Sequence, residues 1–216
     1  MRGVALALAA FVLALAPAKA QQYGEPGQFD FYVLALSWSP SYCDSAGSRA
    51  DPQQCSRRGK PFSFVVHGLW PQYERGFPAD CSYNPPRISD RTLNGMLDVM
   101  PSRRLVIYEW RKHGTCSGLS PDEYFALVRK AFEKVKIPPQ FSQSSRWQTI
   151  SPPEVENAFR VANPKLEDDM IAVTCDRRNL REVRICLSKD LEFRACPQVD
   201  RQACRNPRVA LPPVRG

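Results

Sequence analysis

Residues 29–38 read FDFYVLALSW and residues 62–67 read FSFVVH. Both stretches are dense in β-branched and aromatic residues. Gly27 and Pro40 bound the first, and Gly68 closes the second. Each reads as a buried strand. Between them lies a Cys-, Ser- and Arg-rich loop with Asp51-Pro52. Beyond them, residues 71–88 are turn-rich, with Pro71, Pro78, Pro85 and Pro86. Residues 90–99 read as a short helix capped by Ser89, and residues 102–113 carry a helical pattern that stops at Gly114, a usual helix end. Residues 121–135 form the clearest amphipathic helix. Ser120 caps it, Pro121 opens it, and Tyr124, Leu127, Val128, Ala131 and Val135 share one face. A further helix is expected over 152–162 behind Ser151. Residues 170–175 and 182–187 read as an antiparallel pair joined by a polar turn at 176–179. Strands and helices are mixed without βαβ alternation, and there is no repeat or dividing linker. The expected fold class is therefore α+β: a single domain with a central antiparallel sheet flanked by helices. Residues 205–216 are basic and Pro-rich and are expected to form a poorly ordered tail.

A chain of 216 residues fits one domain that can bury a full core. Its 43% hydrophobic and 24% charged residues exclude a disordered, collagenous or coiled-coil chain. The 30 Lys+Arg against 22 Asp+Glu, a formal charge of +8, favour an anionic partner such as nucleic acid.

Arg2, the apolar run 4–16, the small residues Ala18 and Ala20 and the polar Gln21 read as a secretory signal peptide over residues 1–20. The run is short for a bilayer span and Pro17 follows it, so a membrane anchor is not expected. Removing Arg2 and Lys19 leaves 28 basic against 22 acidic residues, a charge of +6. The expected location is secreted or periplasmic. In such a compartment the eight cysteines read as four disulfides. Counting alone allows about 105 pairings. No CxxC pair occurs, so a zinc site is not expected. No Asn-x-Ser/Thr sequon is present.

The chain has two histidines, each inside a dense motif. A lone histidine is most often a satisfied core residue. His67, however, is delivered by a strand, beside Trp70 and a proline turn, with Gly68 letting the chain turn away; strand ends are where sites tend to be built. His113 lies four residues after Glu109, on one helix face, with Lys112 bordering the same groove. A Glu/Lys pair alone would read as a surface ion pair. Beside the second histidine, and pinned by Cys116, it reads as a site. Two imidazoles, one accepting and one donating a proton, suit transfer at phosphorus without a metal. RNA supplies its own nucleophile, the 2′-hydroxyl; DNA lacks it and is not expected to be cut. Lys112 and Glu109 would stabilise the five-coordinate transition state, and Trp70 and Tyr73 offer faces for splayed bases.

The segments FVVHGLWPQ (64–72) and YEWRKHGTC (108–116) resemble the two active-site segments of the ribonuclease T2 family, and LSWSPSYC (36–43) resembles that family's first strand and its exit. The resemblance runs from about Phe29 to Cys204. It implies a secreted, metal-independent endoribonuclease with an α+β fold that cleaves through a 2′,3′-cyclic phosphate to 3′-phosphate products. It implies His113 as general base and His67 as general acid in the first step, with Glu109 and Lys112 as the stabilising pair. Trp70 would stack on a base. Gln72 stands where some members carry an acidic, base-reading residue. The implied disulfides are Cys43–Cys55, Cys81–Cys116, Cys175–Cys204 and Cys186–Cys196. One departure stands out: the family's second segment usually begins His-Glu-Trp, and here Tyr108 takes the place of the phosphate-helping histidine. No cofactor is expected, RNA is the expected substrate, and the chain is expected to act as a monomer with a catalytic domain over 21–204. A second reading, an RNA-binding or inhibitory homologue without turnover, has Tyr108 in its favour and intact His67 and His113 against it. A third, a disulfide-rich secreted binding protein, would leave the motifs accidental.

Overall fold

The computed structural model describes residues 24–56, 59–142 and 144–214; the expected signal peptide lies outside them. In chain order the elements are β1 (Phe31–Trp38), α1 (Ser39–Ala46), α2 (Pro52–Cys55), β2 (Phe64–Gln72), α3 (Asp90–Gly95), α4 (Arg103–Lys112), α5 (Pro121–Lys134), α6 (Pro139–Ser142), β3 (Gln148–Ile150), α7 (Pro152–Ala162), β4 (Ile171–Cys175), β5 (Leu180–Leu187), α8 (Pro197–Asp200) and β6 (Val209–Leu211). A four-stranded antiparallel sheet has the order β2-β1-β5-β4, and β3 pairs with β6 in a small second sheet.

The missing alternation in β1 has a physical cause. Tyr32, Leu34, Leu36 and Trp38 join the main core with Val66, Leu69, Val183 and Ile185. Phe31 and Val33 pack on the other side with Ala172, Cys186, Cys196 and Val199. A strand covered on both faces spares few polar positions, here Ser37 near its end. Each Leu-, Ile- or Phe-sized side chain removed from water contributes roughly 1.5–3 kcal/mol, so this strand is the firmest support available to its neighbours.

Ser102, Ser120 and Ser151 cap α4, α5 and α7 with their side chains, the last two in full capping boxes with Glu123 and Glu154. Tyr124, Phe125, Val128 and Ala131 are the buried residues of α5, with Leu127 only partly buried. The Tyr124 hydroxyl donates to the Leu69 carbonyl at 2.8 Å and ties α5 to β2 near His67. The four disulfides are the four pairs that the resemblance implies.

Three expectations are corrected. Gly68 does not end the second strand: β2 continues to Gln72. It is an edge strand, where Pro71 costs no ladder hydrogen bond. The loop after β1 contains α1 and α2. The segment from 205 is not a loose tail. Val209 and Leu211 are buried in β6, Ala210 pairs with Thr149, and the Pro212 carbonyl accepts the Trp38 indole N–H at 3.0 Å. Among the described residues of that segment, Arg205 and Arg208 are exposed, so its charge hid two core positions.

Candidate active site

β2 carries His67 on an irregularity. The register with β1 runs Ala35 to Gly68 and then Leu36 to Val66, which leaves His67 as an extra residue in a bulge. A bulge re-aims one side chain without breaking the strand. Here it sends the imidazole toward β5. Gly68 is required by packing: a Cβ there would collide with Glu109 Oε2 and Trp70 Nε1.

α4 carries the second motif. Val106, Glu109 and Trp110 form its buried face, and Glu109 is only 1% exposed. The Trp70 indole N–H donates to Glu109 Oε2 at 2.7 Å. Glu109 Oε1 stands 3.4 Å from His67 Nε2. His113 follows the last helical residue; its φ of −122° leaves the helix, while its N–H still donates to the Glu109 carbonyl. Gly114 serves close packing rather than a left-handed cap, because a Cβ would press on Trp110 and Tyr124. The Trp70 ring centroid is 5.3 Å from both the His67 and the His113 ring centroid. The indole thus brings the two motifs together.

The two imidazoles are driven in opposite directions. Burial disfavours a charged His67, but the hydrogen bond and charge of Glu182, with the charge of Glu109, outweigh it and raise the pKa above 6.5. Burial, aided by the charges of Lys112 and His67, holds His113 down at about 4. Burial pushes the Glu109 carboxyl up to about 7, against the pull of His67 and the Trp70 hydrogen bond. His113 Nδ1 is buried and makes no hydrogen bond among the described residues.

Lys112 is held by Asp80 rather than by Glu109. Its ammonium lies 2.5 Å from Asp80 Oδ2, and the Asp80 N–H donates to the Lys112 carbonyl at 2.9 Å. Asp80 sits at φ 52°, and the next residue, Cys81, is bonded to Cys116. The loop is thereby fixed to the end of α4. Tyr108 is 55% exposed on α4, one turn before Lys112. Gln72 is partly buried at the end of β2 and donates to the neighbouring Pro71 carbonyl. Tyr73 packs against the main core. The exposed ring beside His113 is instead Phe77, at 6.1 Å between centroids.

Sequence reasoning missed Glu182, Arg184, Asp80 and Phe77. Glu182 Oε1 lies 2.5 Å from His67 Nδ1, and Arg184 donates from Nε and Nη2 to Glu182 Oε2 at 3.0 and 2.9 Å. The available signal was Glu182 and Arg184 at i and i+2, two of the three charges in an otherwise apolar strand. A cavity of about 240 Å³ opens beside His67, with Tyr42, Ser102, Arg181 and Glu182 in its wall. A larger cavity of about 540 Å³ lies between α1, α2 and Pro212, away from both histidines. Among the described residues no group of three or more His, Cys, Asp or Glu is arranged to hold a metal ion, and no helix is long and apolar enough to cross a membrane.

Known proteins resemble this chain in sequence and in fold. The "Ribonuclease" of Aeromonas hydrophila is 40% identical over 174 residues, covering 79% of this chain and 77% of its own. Trichomaglin, described as a novel S-like ribonuclease, has the same fold with a TM-score of 0.70 at 22% identity, over 88% of this chain and 100% of that one. RNase NT, solved in complex with 5′-AMP, gives 0.63 at 23% identity, over 86% and 99%. The sequence pattern of the Ribonuclease T2 family spans residues 29–196, from the approach to β1 through both histidine motifs to Cys196, and the chain belongs to that family.

Proposed function

We propose that this ribonuclease is an endonuclease of single-stranded RNA that works by transesterification. The observation that carries the reading is the pair of histidines around Trp70, one pushed toward its charged form and the other held neutral. Two titratable groups driven apart in this way mark out the acid and the base. His113, neutral at physiological pH, takes the proton of the 2′-hydroxyl. The 2′-oxygen attacks the adjacent phosphorus and the P–O5′ bond breaks. His67, protonated, gives its proton to the departing 5′-oxygen. The product is a 2′,3′-cyclic phosphate. For its hydrolysis the roles reverse: His67 activates water, and His113 returns the proton to the 2′-oxygen, leaving a 3′-phosphate. Lys112 stabilises the charge that develops on the phosphate oxygens, and Glu109, buried with its carboxyl pushed up to about 7, assists through its contacts with Trp70 and His67.

Every group in this sequence belongs to the chain or to RNA, so the reaction takes no metal or cofactor, and DNA, which has no 2′-hydroxyl, is not cut. Trp70, Phe77 and Tyr108 are partly or well exposed around His113 and Lys112 and suit unstacked bases or phosphate contact. The four disulfides favour an oxidising compartment, secreted or periplasmic. We place the protein there as a monomer.

The test is cleavage of a dinucleoside monophosphate, with products separated by chromatography, in excess chelator. A cyclic phosphate should form first and then decay to a 3′-phosphate. His67→Ala and His113→Ala should each lower turnover by at least about 10²-fold, the lower range for a lost acid or base. Near-wild-type turnover in either variant removes that residue from the mechanism. Activity lost in chelator and restored by a divalent ion overturns the metal-free reading.

A further inference from the structure

Five side chains form a closed circuit through the site. His67 Nδ1 meets Glu182 Oε1 at 2.5 Å; Glu182 Oε2 takes both Arg184 hydrogen bonds; the Arg184 guanidinium lies 5.2 Å from the Trp70 ring centre; Trp70 Nε1 donates to Glu109; and Glu109 Oε1 returns to His67 Nε2 at 3.4 Å. The motifs holding His67 and Glu109 account for three of its five side chains. β5 supplies the rest.

We propose that Glu182, braced by Arg184, is the positioning residue of His67: its carboxylate fixes the ring's orientation and tautomer and supplies the charge that retains its proton. This rests on His67 being the acid of the first step. A carboxylate can only accept, so His67 Nδ1 carries hydrogen and Nε2 is the nitrogen left to face the leaving oxygen. Burial would raise the Glu182 pKa, but the hydrogen bond and charge of His67, with Arg184, bring it down to about 2, so it is ionised wherever the enzyme works. The sheet reinforces the arrangement. Glu182 pairs with Ser37 of β1, whose hydroxyl donates to Glu182 Oε1 at 3.4 Å, and Ser37 pairs with Val65, two residues before His67. Glu182 is 6% exposed. A buried ion pair is weak evidence of stabilisation, because desolvation offsets its attraction. Orientation of the imidazole accounts for Glu182 and Arg184, the two charges of β5 that are not exposed.

The groups facing His67 are few. β5 presents Glu182 and Arg184, with Arg181 in the adjoining cavity wall; α4 presents Glu109; His113 follows α4; and Tyr42 of α1 lines the same cavity. Glu182 and Glu109 favour the charged ring, and Arg184 opposes it. Two substitutions therefore have opposite signs. Glu182→Gln keeps an acceptor oxygen but removes the negative charge, so His67 should lose its proton at lower pH. Arg184→Gln leaves the carboxylate unshared, so His67 should hold its proton to higher pH.

The test is an NMR titration of the His67 ring nitrogens in the full chain, alongside kcat and KM against pH for a dinucleoside monophosphate. In Glu182→Gln we expect the His67 titration and the alkaline limb of kcat/KM to move down by at least about half a unit. At neutral pH kcat should fall by about tenfold with KM little changed, less than the roughly 10²-fold or more for an acid that is lost outright. In Arg184→Gln both midpoints should move up. A His67 titration that stays put in Glu182→Gln overturns the inference. If that variant does not fold, the Arg184→Gln arm decides, and an unmoved or lowered midpoint there overturns it. His67→Ala separates this inference from the reading beneath it. Full activity in that variant removes the acid assignment. Inactivity there, with a titration blind to Glu182, removes the positioning role alone.

Discussion

The indole of Trp70 and the carboxylate of Glu109 share a 2.7 Å hydrogen bond, and it joins the two histidine motifs directly. Glu109 is buried on α4 and has few partners: this N–H on one oxygen and His67 facing the other. The bond exists because β2 and α4 approach closely at Gly68, the position where any side chain would strike both of its atoms.

Gly68→Ala should therefore damage the site through sterics alone. The methyl group must displace Trp70 Nε1 or Glu109 Oε2, and overpacking of this kind costs about 1–3 kcal/mol. Urea unfolding should register that loss. Cleavage of a dinucleoside monophosphate should lose at least about tenfold in kcat/KM, because Glu109 and the indole between the histidines move together. A variant as stable and active as the parent would mean that the close approach is not needed.

The opposed histidines set the pH dependence. In the first step His113 must be neutral, so kcat/KM should rise with pH through about 4. His67 must be protonated, so activity should fall as pH rises past a midpoint above 6.5. Stability follows with its own sign. Unfolded His113 binds a proton near its usual pKa of about 6.5, and the folded protein binds it only near 4. Between those values the unfolded state holds more protons, so acidification weakens the fold. His113→Gln should lack that loss and gain thermal stability relative to the parent as pH drops across this window. An acid limb near 6.5, with no difference between the two proteins on acidification, would show that His113 is not held neutral.

Lys112 gives a third expectation. Its ammonium is shared with Asp80 in a half-exposed ion pair, worth about 0–1 kcal/mol. Asp80→Asn keeps a residue type suited to φ 52° and removes only the charge. Stability should change by no more than about 1 kcal/mol. A lysine released from its counter-ion should hold a nucleoside 3′-phosphate more tightly, by about two- to fivefold, or less than the equivalent of 1 kcal/mol. Calorimetric titration reads this directly. Weaker binding would show that Asp80 matters for placing Lys112 more than for neutralising it.

The parts of the fold legible in the sequence were those with local causes. Residues 29–38 read as a covered strand, which the structure has over Phe31–Trp38, and Ser120 with Pro121 and Ser151 announced helices whose caps are now visible. Both histidines stood out because each shared a short segment with other polar and aromatic residues. What escaped depends on distance along the chain. Glu182 lies 115 residues from His67, and nothing near it in sequence marks its partner. The bulge at His67 arises from register with β1 and leaves no trace in FVVHGLW. β6 was hidden because Val209 and Leu211 are spaced by a single residue in a Pro- and Arg-rich stretch, and only pairing with β3 makes a strand of them. Tyr73 and Phe77 could not be told apart by type; packing sends the first toward the core and leaves the second beside His113.

Tyr108 provides the last prediction. It is 55% exposed on α4, one turn before Lys112, where the resemblance places a phosphate-helping histidine. A phenol can donate one neutral hydrogen bond to a phosphate oxygen and brings no positive charge at neutral pH. The phosphate is charged, which allows such a bond up to roughly 1.5–3 kcal/mol, but Tyr108 is exposed, and water competing for both groups keeps it at or below the low end of that range. Tyr108→Phe should therefore cost less than about tenfold in kcat/KM, the equivalent of roughly 1.4 kcal/mol. Tyr108→His should lower KM, with the gain concentrated below the new imidazole's own pKa, where the ring is charged; an exposed site gives it no reason to stray far from about 6.5. Steady-state rates for the three proteins across that pH range decide the matter. If Tyr108→Phe proves as damaging as His113→Ala, the phenol takes part in proton transfer, and the division of labour between His67 and His113 must be redrawn.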